Sequence, residues 1–94
     1  MDAQAYARKL QYRASHRGTR EADAMVGGFF KAYGDQWGAE EFAWFERLIE
    51  EQDVDIMAWA FGTQEPPEDY KGPMMDTLRR LDFITLPDGL ERRG

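Results

Sequence analysis

Within "SHRGTREAD", Ser15 to Asp23, an imidazole, two guanidiniums and two carboxylates (His16, Arg17, Arg20, Glu21 and Asp23) surround a single glycine, Gly18. Three chemistries are open to such a set. Imidazole and carboxylate can move protons. Cations near a helix N-terminus can hold a phosphate or carboxylate. A guanidinium and a carboxylate on either side of a glycine turn can read a polar protein surface directionally, the glycine permitting close approach.

Proton-transfer catalysis finds little support. His16, the only histidine, belongs to no nucleophile–base arrangement, and no helical pairing of His with Glu resembles a zinc site. The pairs Glu40–Glu41, Glu50–Glu51 and Glu68–Asp69 read as solvated faces of an acidic protein. With no cysteine, disulfides, thiolate metal sites and cysteine nucleophiles are excluded together. No glycine pattern sits between a strand and a helix, so neither a dinucleotide fingerprint nor a P-loop is present. An anion site is opposed by Glu21 in the same turn as the cations. Two readings then stand level. The stretch is either a charged helix boundary, its charges offsetting helix dipoles at about 0.3–1 kcal/mol each, or the surface that meets a partner.

The elements that must position these residues are helical. Ala3, Tyr6, Ala7, Leu10 and Ala14 recur at helical spacing, and Arg17-Gly18 supplies a stop. Thr19 is suited to cap a second helix, striped by Ala22, Met25, Val26, Phe29, Phe30 and Tyr33. "GDQWG" breaks that pattern, and a third helix follows, with Glu40 and Glu41 in its first turn and Phe42, Phe45, Leu48 and Ile49 inward, ending near Glu51. Asp53 reads as the cap of a fourth, central helix with Val54, Met57, Ala58 and Phe61 on one face and Ile56, Trp59 and Ala60 on the rest. "TQEPPEDYKGP" reads as a loop. Pro73 opens a fifth helix with Met74, Leu78 and Leu81 inward, and "TLPDGLERRG" is expected to fray. The expectation is an all-α chain, a compact single-domain bundle of about five short helices spanning residues 1–94.

Gly27-Gly28 interrupts the second helix, where each glycine costs about 1 kcal/mol relative to alanine. At about 100° per residue both fall outside the apolar arc. Glu21, Ala24, Gly28 and Lys31 then share an outer face of nearly bare backbone on which a partner could close. An indifferent surface helix or a local kink is the competing explanation.

Ninety-four residues suffice for one modest core, not for a deep enclosed active site. The net charge of −6 is uneven. Residues 1–20 hold five basic residues to one acidic, while residues 21–94 hold seven to seventeen. A domain-wide basic field for nucleic acid is absent, but the positive end can meet an acidic patch. No export signal or stretch of about 20 apolar residues is present, so direct membrane insertion is not expected. A bacterial cytoplasm is expected, or a mitochondrial matrix after trimming.

Three blocks carry a resemblance: "RGTREAD", matching an R-G-x-x-E signature extended by Asp23, then Phe29-Phe30, then "EEQDVDIMAW", matching an acidic D-x-D-[LI]-x-x-W segment through Asp53, Asp55, Ile56 and Trp59. Colinear from about residue 8 to residue 61, the chain resembles the SdhE-type FAD assembly factors, also called succinate dehydrogenase assembly factor 2. The resemblance implies a helical chaperone, not an enzyme. It would bind the flavoprotein subunit of succinate dehydrogenase, and in many bacteria that of fumarate reductase, and promote covalent attachment of FAD to a client histidine. FAD would belong to the client, with no cofactor or metal held stably by this chain. The client-facing surface maps onto Arg17, Gly18 and Glu21, with His16, Arg20 and Asp23 beside it. Ala24 and Gly28 join it through the expected outer face of the second helix. Ala22 departs from the family pattern, where a larger apolar residue is common, and Gly27-Gly28 has no place in that pattern. An interaction module for another client, a flavin carrier with Glu21 as acid–base group and a DNA-binding module are the alternatives.

Overall fold

The computed structural model describes residues 3–84. Five helices follow in order: α1 (Ala3–Ser15), α2 (Arg20–Tyr33), α3 (Ala39–Leu48), α4 (Asp53–Phe61) and α5 (Pro73–Arg80). Short 3-10 turns at Gly34–Gln36 and Glu68–Tyr70 complete the regular structure, and no strand occurs among the described residues. The all-helical expectation holds, and "TLPDGLERRG" lies outside the described residues.

Local chemistry sets the boundaries. The Thr19 side chain accepts a hydrogen bond from the Ala22 amide at 3.1 Å, capping α2 as its residue type implies. At the start of α3, Glu41 reaches back to accept from the Gly38 amide at 2.7 Å. Pro73 is the first residue of α5, where its missing N–H costs nothing. Asp53 is itself the first residue of α4, and the cap position belongs to Gln52, which makes no side-chain cap bond.

Phe29 sits at the centre of the core, fully buried, with its ring centroid 5.3 Å from Trp37, 5.4 Å from Phe83 and 6.2 Å from Phe45. Met25, Val26, Leu48, Ile56, Met75 and Leu78 fill the space around these rings. Burial on this scale contributes about 1.5–3 kcal/mol per large side chain and holds the five helices together. The loop between α4 and α5 belongs to this core through Tyr70, which is 3% exposed and packs its ring against Trp59, centroids 5.3 Å apart and planes tilted by 31°. Trp44 donates its indole N–H to the Tyr70 carbonyl at 3.2 Å.

Packing corrects further sequence expectations. First, α4 turns Ile56, Trp59 and Ala60 into the core and leaves Val54 68% and Phe61 54% exposed. The helix is apolar almost all round, so periodicity alone could not orient it. Second, Gly27 is not on an outer face. It is buried against α1, and a Cβ built there would lie 2.6 Å from Ser15 Oγ and 3.1 Å from Ser15 Cα. Gly27 lets the two backbones pack closely. Gly28 is partly covered as well, its Cβ position lying 3.3 Å from the Phe83 carbonyl oxygen. At α5 the inward side chains are Met75 and Leu78, while Met74 and Leu81 are half-buried.

Candidate functional site

The α1–α2 turn sorts its charged residues into two sets. Arg17 points inward, its side chain 11% exposed, and lies across the junction between α3 and α4. Its Nε donates to Asp53 Oδ1 at 2.8 Å, Nη1 to the Ile49 carbonyl at 2.7 Å and Nη2 to the Glu51 carbonyl at 3.0 Å. The carbonyl at the C-cap of α3 and one in the turn beyond it thus receive donors from a fork whose geometry suits them. In the boundary reading of the sequence, the Arg17 charge offsets the dipole at the C-terminus of the first helix. In the structure it neutralises the end of α3, and Asp53, at the positive end of α4, completes the arrangement.

Asp23 also faces the turn. Its Oδ1 accepts the Arg17 backbone N–H, tying the first turn of α2 to the residue before Gly18. Gly18 sits at φ +118°, with nothing within 4 Å of a built Cβ. Conformation, not crowding, demands glycine here. The chain reverses between two anchored residues and exposes Gly18, Thr19, Arg20 and Glu21. Among the described residues neither the Arg20 guanidinium nor the Glu21 carboxylate has a hydrogen bond or ion pair. His16 is exposed at the end of α1, where its Nδ1 lies 2.8 Å from the Tyr12 carbonyl and its ring stacks on Tyr12 at 4.0 Å.

Ala24 and Gly28 occupy a different place. Together with Gln11, Ser15, Lys31 and Phe83 they line an open groove of about 680 Å³ between α1, α2 and the segment after α5; Asp23 reaches its edge, and Glu21 is not part of its lining. The structure therefore brings His16, Gly18, Arg20 and Glu21 together on one exposed turn. It engages Arg17 and Asp23 behind that turn and sets Ala24 and Gly28 in the groove.

Two contributors escaped the sequence reading. In the sequence Asp53 reads as a helix cap, and its pairing with Arg17, 36 residues away, has no local signature. Tyr70 falls in a stretch that reads as a loop. Its hydroxyl donates to Glu51 Oε2 at 2.7 Å and lies 3.1 Å from the Arg47 carbonyl, bracing the same α3–α4 turn that Arg17 holds. Burial, reinforced by the Glu51 carboxylate, pushes this hydroxyl up to about 12. The aromatic residue amid prolines and charges was the available signal. No group of three or more His, Cys, Asp or Glu side chains suited to a metal occurs among the described residues. None of their helices is long and apolar enough to cross a membrane.

Fold and turn together define a small all-helical module that displays a charged, exposed edge backed by the Arg17 and Asp23 contacts. The family described as "Flavinator of succinate dehydrogenase" (Sdh5) matches residues 8–82, and this chain belongs to it. Among its relatives, the FAD assembly factor SdhE of Acetobacter pasteurianus is 40% identical over 87 residues, covering 93% of this chain and 73% of that protein. The mitochondrial succinate dehydrogenase assembly factor 2 of Schizosaccharomyces japonicus is 32% identical over 89% of this chain and 58% of its own length. That of Danio rerio is 35% identical over 79% of this chain and 48% of its own. The chain thus spans roughly half the length of these two mitochondrial relatives.

Proposed function

We propose that this chain binds the flavoprotein subunit of succinate dehydrogenase and promotes covalent attachment of FAD to a histidine of that subunit. Family membership supports the client class. The observation that carries the reading is the division of labour in the turn: Arg17 and Asp23 are anchored internally, so Gly18, Arg20 and Glu21 stand exposed on a fixed backbone.

Such an edge suits binding by directional polar contacts at low ordering cost, because the turn is held before the partner arrives. The bond to be made joins the client's histidine to the flavin, and both reacting groups lie outside this chain. Its contribution is then geometric. Glu21 and Arg20 bond to the client, Gly18 admits close approach, and the complex holds client histidine and flavin in near-attack contact, converting a rare encounter into a frequent one. FAD is carried by the client on this reading, and the chain acts as a chaperone, not a catalyst. The fumarate reductase flavoprotein is a second client, and the working compartment is the bacterial cytoplasm or the mitochondrial matrix.

Reconstitution tests the proposal. Apo flavoprotein subunit, FAD and this chain are mixed, and covalent flavin is read by its fluorescence after denaturing electrophoresis. Flavinylation that depends on the chain supports the proposal; flavinylation equal with and without it refutes it. Co-purification at native expression identifies the client independently. Recovery of an unrelated protein in place of a succinate dehydrogenase flavoprotein would point to an interaction module for another client.

A further inference from the structure

Ion pairing redistributes the positive charge of residues 1–20. Arg13 is bound to Glu50 at 2.8 Å and Arg17 to Asp53 at 2.8 Å. Arg8, Lys9 and Arg20 are exposed, and none has an ion pair among the described residues. Arg8 and Tyr12 are four residues apart on α1, and His16, just past its end, lies against Tyr12, so the three form one stripe. Tyr12 is 64% exposed. Even so, it is not a loose side chain. Its ring stacks on His16 at 4.0 Å with planes 17° apart, and His16 is fixed in turn by Nδ1 at 2.8 Å from the Tyr12 carbonyl. A carbonyl only accepts, so Nδ1 carries the proton of this contact.

We infer that this stripe is a second docking element, continuous with the Gly18–Glu21 edge, and that it receives an acidic segment of the client that lays a planar side chain or peptide on Tyr12. The inference rests on the proposed function above. A tyrosine already stacked and ordered loses little freedom on binding, which makes it a fit anchor. Arg8, Lys9 and Arg20 supply the charge for an acidic segment, while residues 21–94, with seven basic to seventeen acidic, repel it elsewhere. Attraction at one end and repulsion over the rest fix the orientation in which the client arrives.

The test is titration of purified flavoprotein subunit of succinate dehydrogenase against the full chain and its variants over a salt series, with thermal midpoints recorded in parallel. Tyr12→Ala is expected to weaken binding about tenfold or more, as loss of an interface anchor does. Arg8→Glu with Lys9→Glu is expected to slow association and flatten the salt dependence. All these side chains are exposed, so midpoints should stay near wild type; the charge-reversal variant tests the idea even if Tyr12→Ala unfolds. Binding within about twofold of wild type for both variants, with Glu21→Ala still abolishing it, would overturn the docking element and leave the proposed function standing. A wild-type chain that does not bind the subunit would overturn both. Equal low-salt affinity for random duplex DNA would show a general cation surface and overturn the assignment to an acidic protein segment.

Discussion

Arg17 Nε and Asp53 Oδ1 meet at 2.8 Å across 36 residues of sequence, joining the α1–α2 turn to the start of α4. The same guanidinium holds the carbonyls of Ile49 and Glu51, so one side chain fixes the relative placement of three helix ends. Two of the three sequence blocks that carry the family resemblance are thereby one structural unit.

Arg17→Ala is accordingly a stability mutation first. It strands two carbonyls and a half-buried carboxylate, which costs about 2–4 kcal/mol, and the thermal midpoint should fall by about 10 °C or more. Arg17→Lys should recover little, because an ammonium cannot reproduce the fork. A differential scanning measurement in which Arg17→Ala melts like wild type would show that the staple is idle.

Gly18→Ala and Gly18→Arg should each cost about 1–3 kcal/mol, since φ +118° is strained for any residue with a Cβ. Lost flavinylation in a Gly18 variant is therefore informative only beside its denaturant midpoint.

Glu21→Ala is the clean probe of the surface. The carboxylate is exposed and has no partner among the described residues, so stability should change by no more than the dipole contribution of about 0.3–1 kcal/mol. Flavinylation of the client should be abolished. If urea denaturation collapsed as well, the boundary reading of this turn would prevail.

Gly27→Ala should destabilise by about 1–3 kcal/mol, because the new methyl would lie 2.6 Å from Ser15 Oγ and 3.1 Å from Ser15 Cα and force α1 from α2. Adding Ser15→Ala removes the hydroxyl but not the backbone contact, so it should restore only part of the loss. Full restoration in a double-mutant cycle would mean that the helices have room to shift.

Alkaline conditions should unfold the protein through its tyrosines. Burial, with Glu51 beside Tyr70 and Glu46 beside Tyr6, raises both hydroxyls from 10.0 to about 12. The folded state therefore holds protons that the unfolded state releases between these values. This stability is fully present below about pH 10 and is lost as pH rises toward 12. In a Tyr12→Phe, Tyr33→Phe variant, which leaves Tyr6 and Tyr70 as the tyrosines, tyrosinate absorbance should appear together with loss of helical circular dichroism; tyrosinate formed at pH 10 while the helices persist would contradict this.

Helix number and approximate limits were legible in the sequence because each helix carries its own period and stop: Thr19 at a cap, Pro73 at a first turn, glycines between. The exposed turn was legible too, since residues 16–21 are contiguous. What the sequence could not give was orientation and pairing. Helix α4 is apolar on nearly every side, so only packing decides that Ile56 and Trp59 go in while Val54 and Phe61 stay out. Gly27 falls outside the apolar arc of its own helix, yet it is buried because α1 closes on it from the side. Arg17 looks like a surface cation until α3 and α4 arrive. Local periodicity and capping are properties of neighbouring residues, and the sequence by itself determined them; which charge meets which carbonyl depends on segments brought together from 32 to 36 residues away, and only the tertiary structure decided that.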